Sequence, residues 1–335
     1  MPGRSDESGT NGPDHPRAFA VRLRRIGSAR LPVQTRAVIM GSDNAPLLLV
    51  LGGISADASV ARGADGKPGW WASLFGDRAP LGPQRYRILG IDFIADESGA
   101  YAPDTFEQAV IIADTLGEIG EKPLAIIGAS YGGMVALAHA QRFEAQTPLV
   151  IISAPAGAHP LATAQRSLQR RVVELGREHC CPGEALVIAR AMAMLTYRTP
   201  EEFSERFRGG ISGAGPLSAS QPMDYLEARG RAYVEMMSPG RFLSLSASID
   251  RHRVDPREIR CPALVIGVEQ DQLVPIGDMA SLAAGISGRT SFRAIGSIYG
   301  HDAFLKEPGL IGGLVDEFLV ECGDRPAGPL AETGT

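Results

Sequence analysis

Residues 124–143 read LAIIGASYGGMVALAHAQRF, and the turn at their centre decides the fold. The opening run, between Pro123 and the first glycines, has the length and composition of a buried strand. A helical pattern begins directly after it. Between the two lies G-x-S-x-G at residues 128–132 (GASYG), with another glycine at 133. Gly and Ser are common, so the motif alone is weak. Its place between a strand and a helix is the setting that a nucleophile elbow requires. A serine on so sharp a turn holds a strained backbone, and small residues two before and two after relieve the crowding. The Ser130 hydroxyl then stands at a helix N-terminus, where the dipole favours developing negative charge. The plain alternative is a Gly-rich strand-to-helix turn without chemistry.

Outward from the elbow, further short apolar runs bounded by Gly, Pro or charge read as strands of a parallel sheet: 46–51 (PLLLVL), 86–91 (YRILGI), 149–153 (LVIIS), 263–268 (ALVIGV) and 290–295 (TSFRAI). Helical patterns at 106–119, 133–143, 278–284 and 310–321 separate them, and this alternation predicts an α/β sheet with helices on both faces. Residues 19–40 have the pattern of one or two antiparallel edge strands. The alternation stops over 155–255, where helical patterns at 160–176, 183–194, 200–207, 223–236 and 241–250 occur without a strand. The reading is a helical cap (155–255) inserted into a core made of 18–154 and 256–322. Such a cap would lie over the C-terminal edge of the sheet, where open α/β folds place their sites.

A serine hydroxyl needs a base, and the base needs an orienting carboxylate. With a nucleophile elbow the chain order is Ser, then Asp or Glu, then His. The strand at 263–268 is followed by EQDQLVP, which makes Asp271 the candidate acid and Glu269 the fallback. The strand at 290–295 is followed by SIYGHD, where His301 has a small residue in front of it. Of the six histidines, only His301 lies beyond the final strand; the others fall in the leader, the elbow helix or the cap. An oxyanion hole needs two backbone N–H groups, a single one being worth about 3–4 kcal/mol in a measured case. Tyr131, after the serine, is one candidate donor. Ile54, after the paired glycines 52 and 53, is the other, unless those glycines merely make a turn.

The rest of the composition narrows the field. The 335 residues are 44% hydrophobic and carry a formal net charge of −5, the wrong sign for a nucleic-acid binder, though it says little about small substrates. No apolar run reaches the ~18–20 residues of a membrane span. Residues 1–17 lack the apolar segment of a secretory signal and read, like 323–335, as frayed, polar ends. The four cysteines (180, 181, 261 and 322) lack the spacing of a zinc site or disulfide framework, so a reducing cytoplasm is the default compartment.

With the motifs in place, the chain resembles the homoserine O-acyltransferases of the α/β-hydrolase type, over roughly residues 19–319. The resemblance rests on GWW at 69–71, GASYGGMVAL around Ser130, QRR at 169–171, MLTYRTPEEF at 194–203, DYL with RG at 224–230, and YGHDAFL at 299–305. It implies an α/β-hydrolase fold and ping-pong acyl transfer from an acyl-CoA to an amino-acid hydroxyl in methionine biosynthesis. No metal or prosthetic group is implied. Arg170 and Tyr197 would line the active-site tunnel, with Asp302 as a further substrate contact, and two copies would pair through the cap helices. In the cap, 191–195 (AMAML) reads as core or interface. The elbow tyrosine and the SIYGHD ending look like the succinyl-transferring branch, and residues 90–100 depart from the acetyl-transferring pattern. A succinyl donor needs a cation for its second carboxylate, with Arg62, Arg166 and Arg198 as candidates. Because 101–108 (YAPDTFEQ) also departs from the family's usual stretch, homoserine O-acetyltransfer and serine O-succinyltransfer stay open. From other classes there remain a serine esterase with the same triad and a non-catalytic binding protein.

Overall fold

The computed structural model describes residues 15–24, 28–211, 215 and 220–323. Most of the expected frayed leader and tail lies outside the described residues. Arg17 is an exception: it opens the first strand, opposite Ile39, with its guanidinium on Asp43, so pairing holds a residue assigned to the leader.

One eight-stranded sheet carries the molecule: β1 (Arg17–Arg22), β2 (Gln34–Met40), β3 (Leu47–Leu51), β4 (Arg87–Ile91), β5 (Ala125–Ala129), β6 (Leu149–Ile152), β7 (Ala263–Val268) and β8 (Thr290–Ile295), in the order β1-β2-β4-β3-β5-β6-β7-β8. β1 and β2 are the antiparallel edge, and all pairs from β4 onward are parallel. The short α1 (Ala72–Phe75), then α2 (Thr105–Ile119) and α3 (Tyr131–Arg142), flank the first half of the sheet. The period of two in a strand sorts its residues to two cores. Leu49, Ile126, Ile151 and Val265 pack with α2 and α3, whereas Val50, Ile127, Val150 and Ile266 pack beneath Trp71 and the C-terminal helix. The runs are apolar at every position because both faces are covered.

Between β6 and β7 come five helices: α4 (Pro160–Glu178), α5 (Pro182–Tyr197), α6 (Pro200–Arg206), α7 (Gln221–Val234) and α8 (Pro239–Asp250). Each has proline in its first turn, where the missing N–H costs nothing, and α6, α7 and α8 are capped by the hydroxyls of Thr199, Ser220 and Ser238. This cap has a core of its own around Val173, Leu186, Tyr233 and Phe242. Its two connecting segments meet in a bridge between Gly157 and Arg253. After it follow α9 (Ile276–Gly285), the short α10 (Ala303–Lys306) and α11 (Pro308–Cys322). Among the described residues no helix is long and apolar enough to cross a membrane.

His252 clamps the cap to the core at this joint. Its Nε2 lies 3.0 Å from the Pro155 carbonyl, so that nitrogen carries the proton, and Nδ1 accepts from the Thr105 hydroxyl at 2.8 Å. Burial drives its pKa down from 6.5 to about 4. Between those values the unfolded chain binds a proton that the folded chain refuses, so stability falls as pH falls from 6.5 towards 4. The contribution lost is on the order of 3 kcal/mol. Urea midpoints measured between pH 7 and 4.5 should therefore drop for the wild type, and drop less for His252→Gln. An identical pH slope in the two proteins would refute this.

Candidate active site

The sheet order reverses at β3, which pairs with β4 on one side and β5 on the other. Leu51 sits opposite Gly128, so the loop after β3 and the turn after β5 leave the sheet side by side at its C-terminal edge. Ser130 occupies that turn with φ 53° and ψ −123°, a conformation that L-residues rarely adopt. The glycines around it are required by contact. A Cβ at 128 would come within 2.6 Å of the Gly132 oxygen, one at 132 within 2.4 Å of the Leu51 carbonyl, and one at 133 within 2.6 Å of the Ala154 Cβ. The Ser130 N–H donates to Ile152 and the Gly132 N–H to Gly52, which pins the turn between β6 and the β3 loop.

Three side chains from separate loops meet here. The Ser130 Oγ lies 2.9 Å from the His301 Nε2, and the His301 Nδ1 lies 2.7 Å from the Asp271 Oδ2. The second oxygen of Asp271 accepts from the N–H groups of Leu273 and Val274 at 2.9 and 3.0 Å. His301 follows Gly300, whose φ of +54° swings the chain inward after β8. The Gln270 amide oxygen accepts from the Ser297 N–H at 2.8 Å and ties the acid loop to the histidine loop. Trp71 Nε1 donates to the Phe304 carbonyl and anchors the far side. Tyr197 of α5 stacks on the imidazole at 5.7 Å. Burial lowers the His301 pKa, but the charge and hydrogen bond of Asp271 and the charge of Asp302 outweigh it, so the net shift is upward. Glu269 is exposed and makes no contact with the imidazole.

The Ile54 and Tyr131 N–H groups have no hydrogen-bond partner among the described residues. Ile54 lies in a turn closed by the Ala56 N–H on Gly53 and lines the same cavity as Ser130, and Tyr131 follows Ser130 as the first residue of α3. The Tyr131 side chain turns away from the cavity: its ring packs on Phe93 and its hydroxyl bonds Ser248 of α8 at 2.5 Å.

Two cavities meet at Ser130, His301 and Tyr197. An inner one of about 40 Å³ runs under α4 past Arg166, Gln165 and Gln169. An outer one of about 160 Å³ is bounded by Gly53, Trp70, Arg190, Asp302 and Leu305. Through Ile54, Ser55, Ala56 and Trp70 the outer cavity borders a cleft of about 620 Å³.

Several expectations from the sequence need correcting on the cap side. The Arg170 guanidinium does not line either cavity. It is spent on Ser246 and Asp250, on the face where α4 packs against α8. The guanidinium that reaches the inner cavity from α4 is Arg166. Arg62 is paired with Asp77 and lines neither cavity, and Arg198 is buried between Glu202 and Asp302. Tyr197 and Asp302 do line the cavities. Sequence reasoning missed Arg190, which stacks on Tyr197 and Tyr233 and pairs with no carboxylate among the described residues. A signal was there: one charge inside the apolar run ALVIARAMAML must face a partner or a cavity. Of the run AMAML, Ala191, Ala193 and Met194 are core and Leu195 is exposed.

A mostly parallel sheet with a serine on a strand–turn–helix elbow, an acid after β7 and a histidine after β8 defines the α/β-hydrolase class. The model of the alpha/beta hydrolase family matches residues 14–307. The chain is 41% identical to a homoserine O-succinyltransferase of Xanthomonas campestris pv. campestris, over 90% of this chain and 82% of that one. It is 30% identical to a serine O-succinyltransferase of Litchfieldella anticariensis, over 89% and 95%. The crystal structure of a homoserine O-acetyltransferase from Bacillus anthracis superposes with a TM-score of 0.79 at 15% identity, covering 91% of this chain and 97% of that one. The chain therefore belongs to the α/β-hydrolase family, within its homoserine O-acyltransferase group.

Proposed function

We propose that this chain moves a succinyl group from succinyl-CoA to the hydroxyl of L-homoserine through an acyl-Ser130 intermediate, a step of methionine biosynthesis in the cytoplasm. His301 Nε2 takes the Ser130 proton as Oγ attacks the thioester carbonyl. The oxyanion forms between the Ile54 and Tyr131 N–H groups, and collapse expels the CoA thiolate, which takes the proton from His301. After CoA leaves, His301 deprotonates the acceptor hydroxyl, whose oxygen attacks the acyl carbon. The second collapse returns the proton to Ser130 and releases the O-acyl amino acid. Asp271 orients the imidazole and offsets its charge in both halves. No metal or prosthetic group is needed; succinyl-CoA is a co-substrate.

The observation that carries this reading is the charge pair in the outer cavity. Arg190 offers a guanidinium without a carboxylate partner among the described residues, and Asp302, with one oxygen on Arg198, offers a carboxylate beside the same hydroxyl. That is the complement of an amino-acid zwitterion. A plain esterase has no use for such a pair. The likeness to a homoserine O-succinyltransferase supports homoserine and succinyl over the alternatives. The test crosses succinyl-CoA and acetyl-CoA with homoserine and serine, reading products by mass spectrometry. Succinylhomoserine should dominate, and CoA release independent of any amino acid would overturn transfer in favour of hydrolysis. A serine product would move the chain to the neighbouring activity.

The homodimer also finds support on the cap. On α4, Leu161, Leu168 and Leu175 recur every seven residues and are 58, 61 and 40% exposed; on α5, Ile188 and Leu195 are 52 and 51% exposed. Heptad spacing of exposed apolar residues on adjacent helices suits a second copy of the same face. Leu168→Glu is expected to convert a dimer to a monomer in analytical ultracentrifugation. A wild-type monomer at micromolar concentration would refute the pairing.

A further inference from the structure

We infer that the inner cavity is the seat of the acyl donor's distal carboxylate, with Arg166 and Gln169 as the residues that select a dicarboxylic acyl chain. This rests on the acyl-Ser130 reading above and assigns its donor site. Size comes first. An acyl-CoA is a linear molecule whose thioester must lie at Ser130, with the bulky coenzyme on one side and the acyl chain on the other. Only the outer cavity, opening toward the cleft of about 620 Å³, has room for the coenzyme. The inner cavity, at about 40 Å³, has room for a few heavy atoms beyond the carbonyl.

Charge is the second argument. Arg166 and Arg170 share the single carboxylate of Asp250, and the three side chains are only 13, 19 and 11% exposed. Two buried guanidinium groups on one acid leave a net positive charge, which calls for a second anion. The Arg166 Nε and Nη2 are used on Asp250, while Nη1 is left without a partner among the described residues. Unsatisfied amides are the third. The Gln169 side chain lines the cavity, and its amide makes no hydrogen bond among the described residues. Gln165 beside it has a buried Oε1 without a partner among the described residues. Buried polar groups without partners in a finished fold point to a ligand that completes them. Met134, Leu273 and Val274 form an apolar wall suited to the intervening methylenes.

The test compares succinyl-CoA with butyryl-CoA, which has the same chain length and lacks the carboxylate, by kcat/KM for CoA release with homoserine. The ratio of the two donors should fall by roughly 100-fold in Arg166→Met and by about 10-fold in Gln169→Leu, because a buried site built for a polar group discriminates strongly against its absence. Arg166→Lys should recover part of the ratio. Equal losses on both donors, or an unchanged ratio, would overturn the assignment. If Arg166→Met does not fold, the Gln169→Leu ratio decides alone. The wild type separates the two readings: succinyl transfer with no change of ratio in the variants defeats only this subsite, whereas absence of succinyl transfer defeats the proposed donor itself.

Discussion

Ser130→Ala is expected to lower kcat for homoserine-dependent CoA release by about 10⁶-fold, the scale seen when a triad serine is removed elsewhere. The change deletes one oxygen atom. The backbone that makes the elbow stays in place, because the Ser130 N–H bond to Ile152 and the Gly132 N–H bond to Gly52 do not involve the hydroxyl. The variant should therefore keep its melting temperature within a few degrees and still bind both substrates. The residual rate comes from the two free N–H donors and from proximity. Intact-mass analysis gives the direct readout: wild-type protein mixed with succinyl-CoA alone should gain one succinyl group, and the variant none. A Ser130→Ala protein within about 100-fold of the wild-type rate would mean that the acceptor attacks the thioester directly, and the covalent mechanism would have to be abandoned.

The sheet and the three meeting side chains were readable from sequence for a common reason. In a doubly covered parallel sheet each strand is an apolar run with a hard stop, and the residues that do chemistry sit just past the stop. Asp271 and His301 follow ALVIGV and TSFRAI by a few residues, so finding the strand finds the loop. Backbone demands also leave a mark: the glycines at 128, 132 and 133 are there because a Cβ has nowhere to go. The short α1 and α10 left no periodic trace, being single turns packed by the loops around them.

The cap was legible as helices but not as a surface. Which residues of α4 face the serine depends on the angle at which that helix lies on α8 and α5, a property of two or three helices at once. Arg166, Gln169 and Arg170 are consecutive choices around one turn. Packing turns Gln169 and Arg166 to the cavity and Arg170 to Ser246 and Asp250. Sequence likeness pointed to Arg170, whereas the arginine of α4 that lines the cavity is Arg166, one helical turn earlier. Arg190 was hidden in the opposite way, inside a run whose apolar character reads as core until its charge is asked to account for itself.

Asp271→Asn should cost about 10⁴-fold in kcat, as the same change does in a serine protease triad, and the local bonding says why. The oxygen that accepts from the Leu273 and Val274 N–H groups must remain an acceptor. The asparagine amide therefore has to turn its NH₂ toward the His301 Nδ1, where the carboxylate used to accept. That donor holds the imidazole in the tautomer with its proton on Nε2, which cannot take a proton from Ser130. The variant also carries a pH signature. In the wild type the imidazole pKa lies above its ordinary 6.5, since Asp271 and Asp302 outweigh the opposing effects of burial and Arg166. The base works deprotonated, so kcat/KM should rise with pH through a midpoint above 6.5. Removing the Asp271 charge leaves Asp302 alone to oppose burial and Arg166, so the imidazole pKa falls from its wild-type position and the acid limb of the residual activity should move to lower pH. A variant that lost activity but kept the wild-type limb would show that a different group controls the profile, and His301 would no longer be the base.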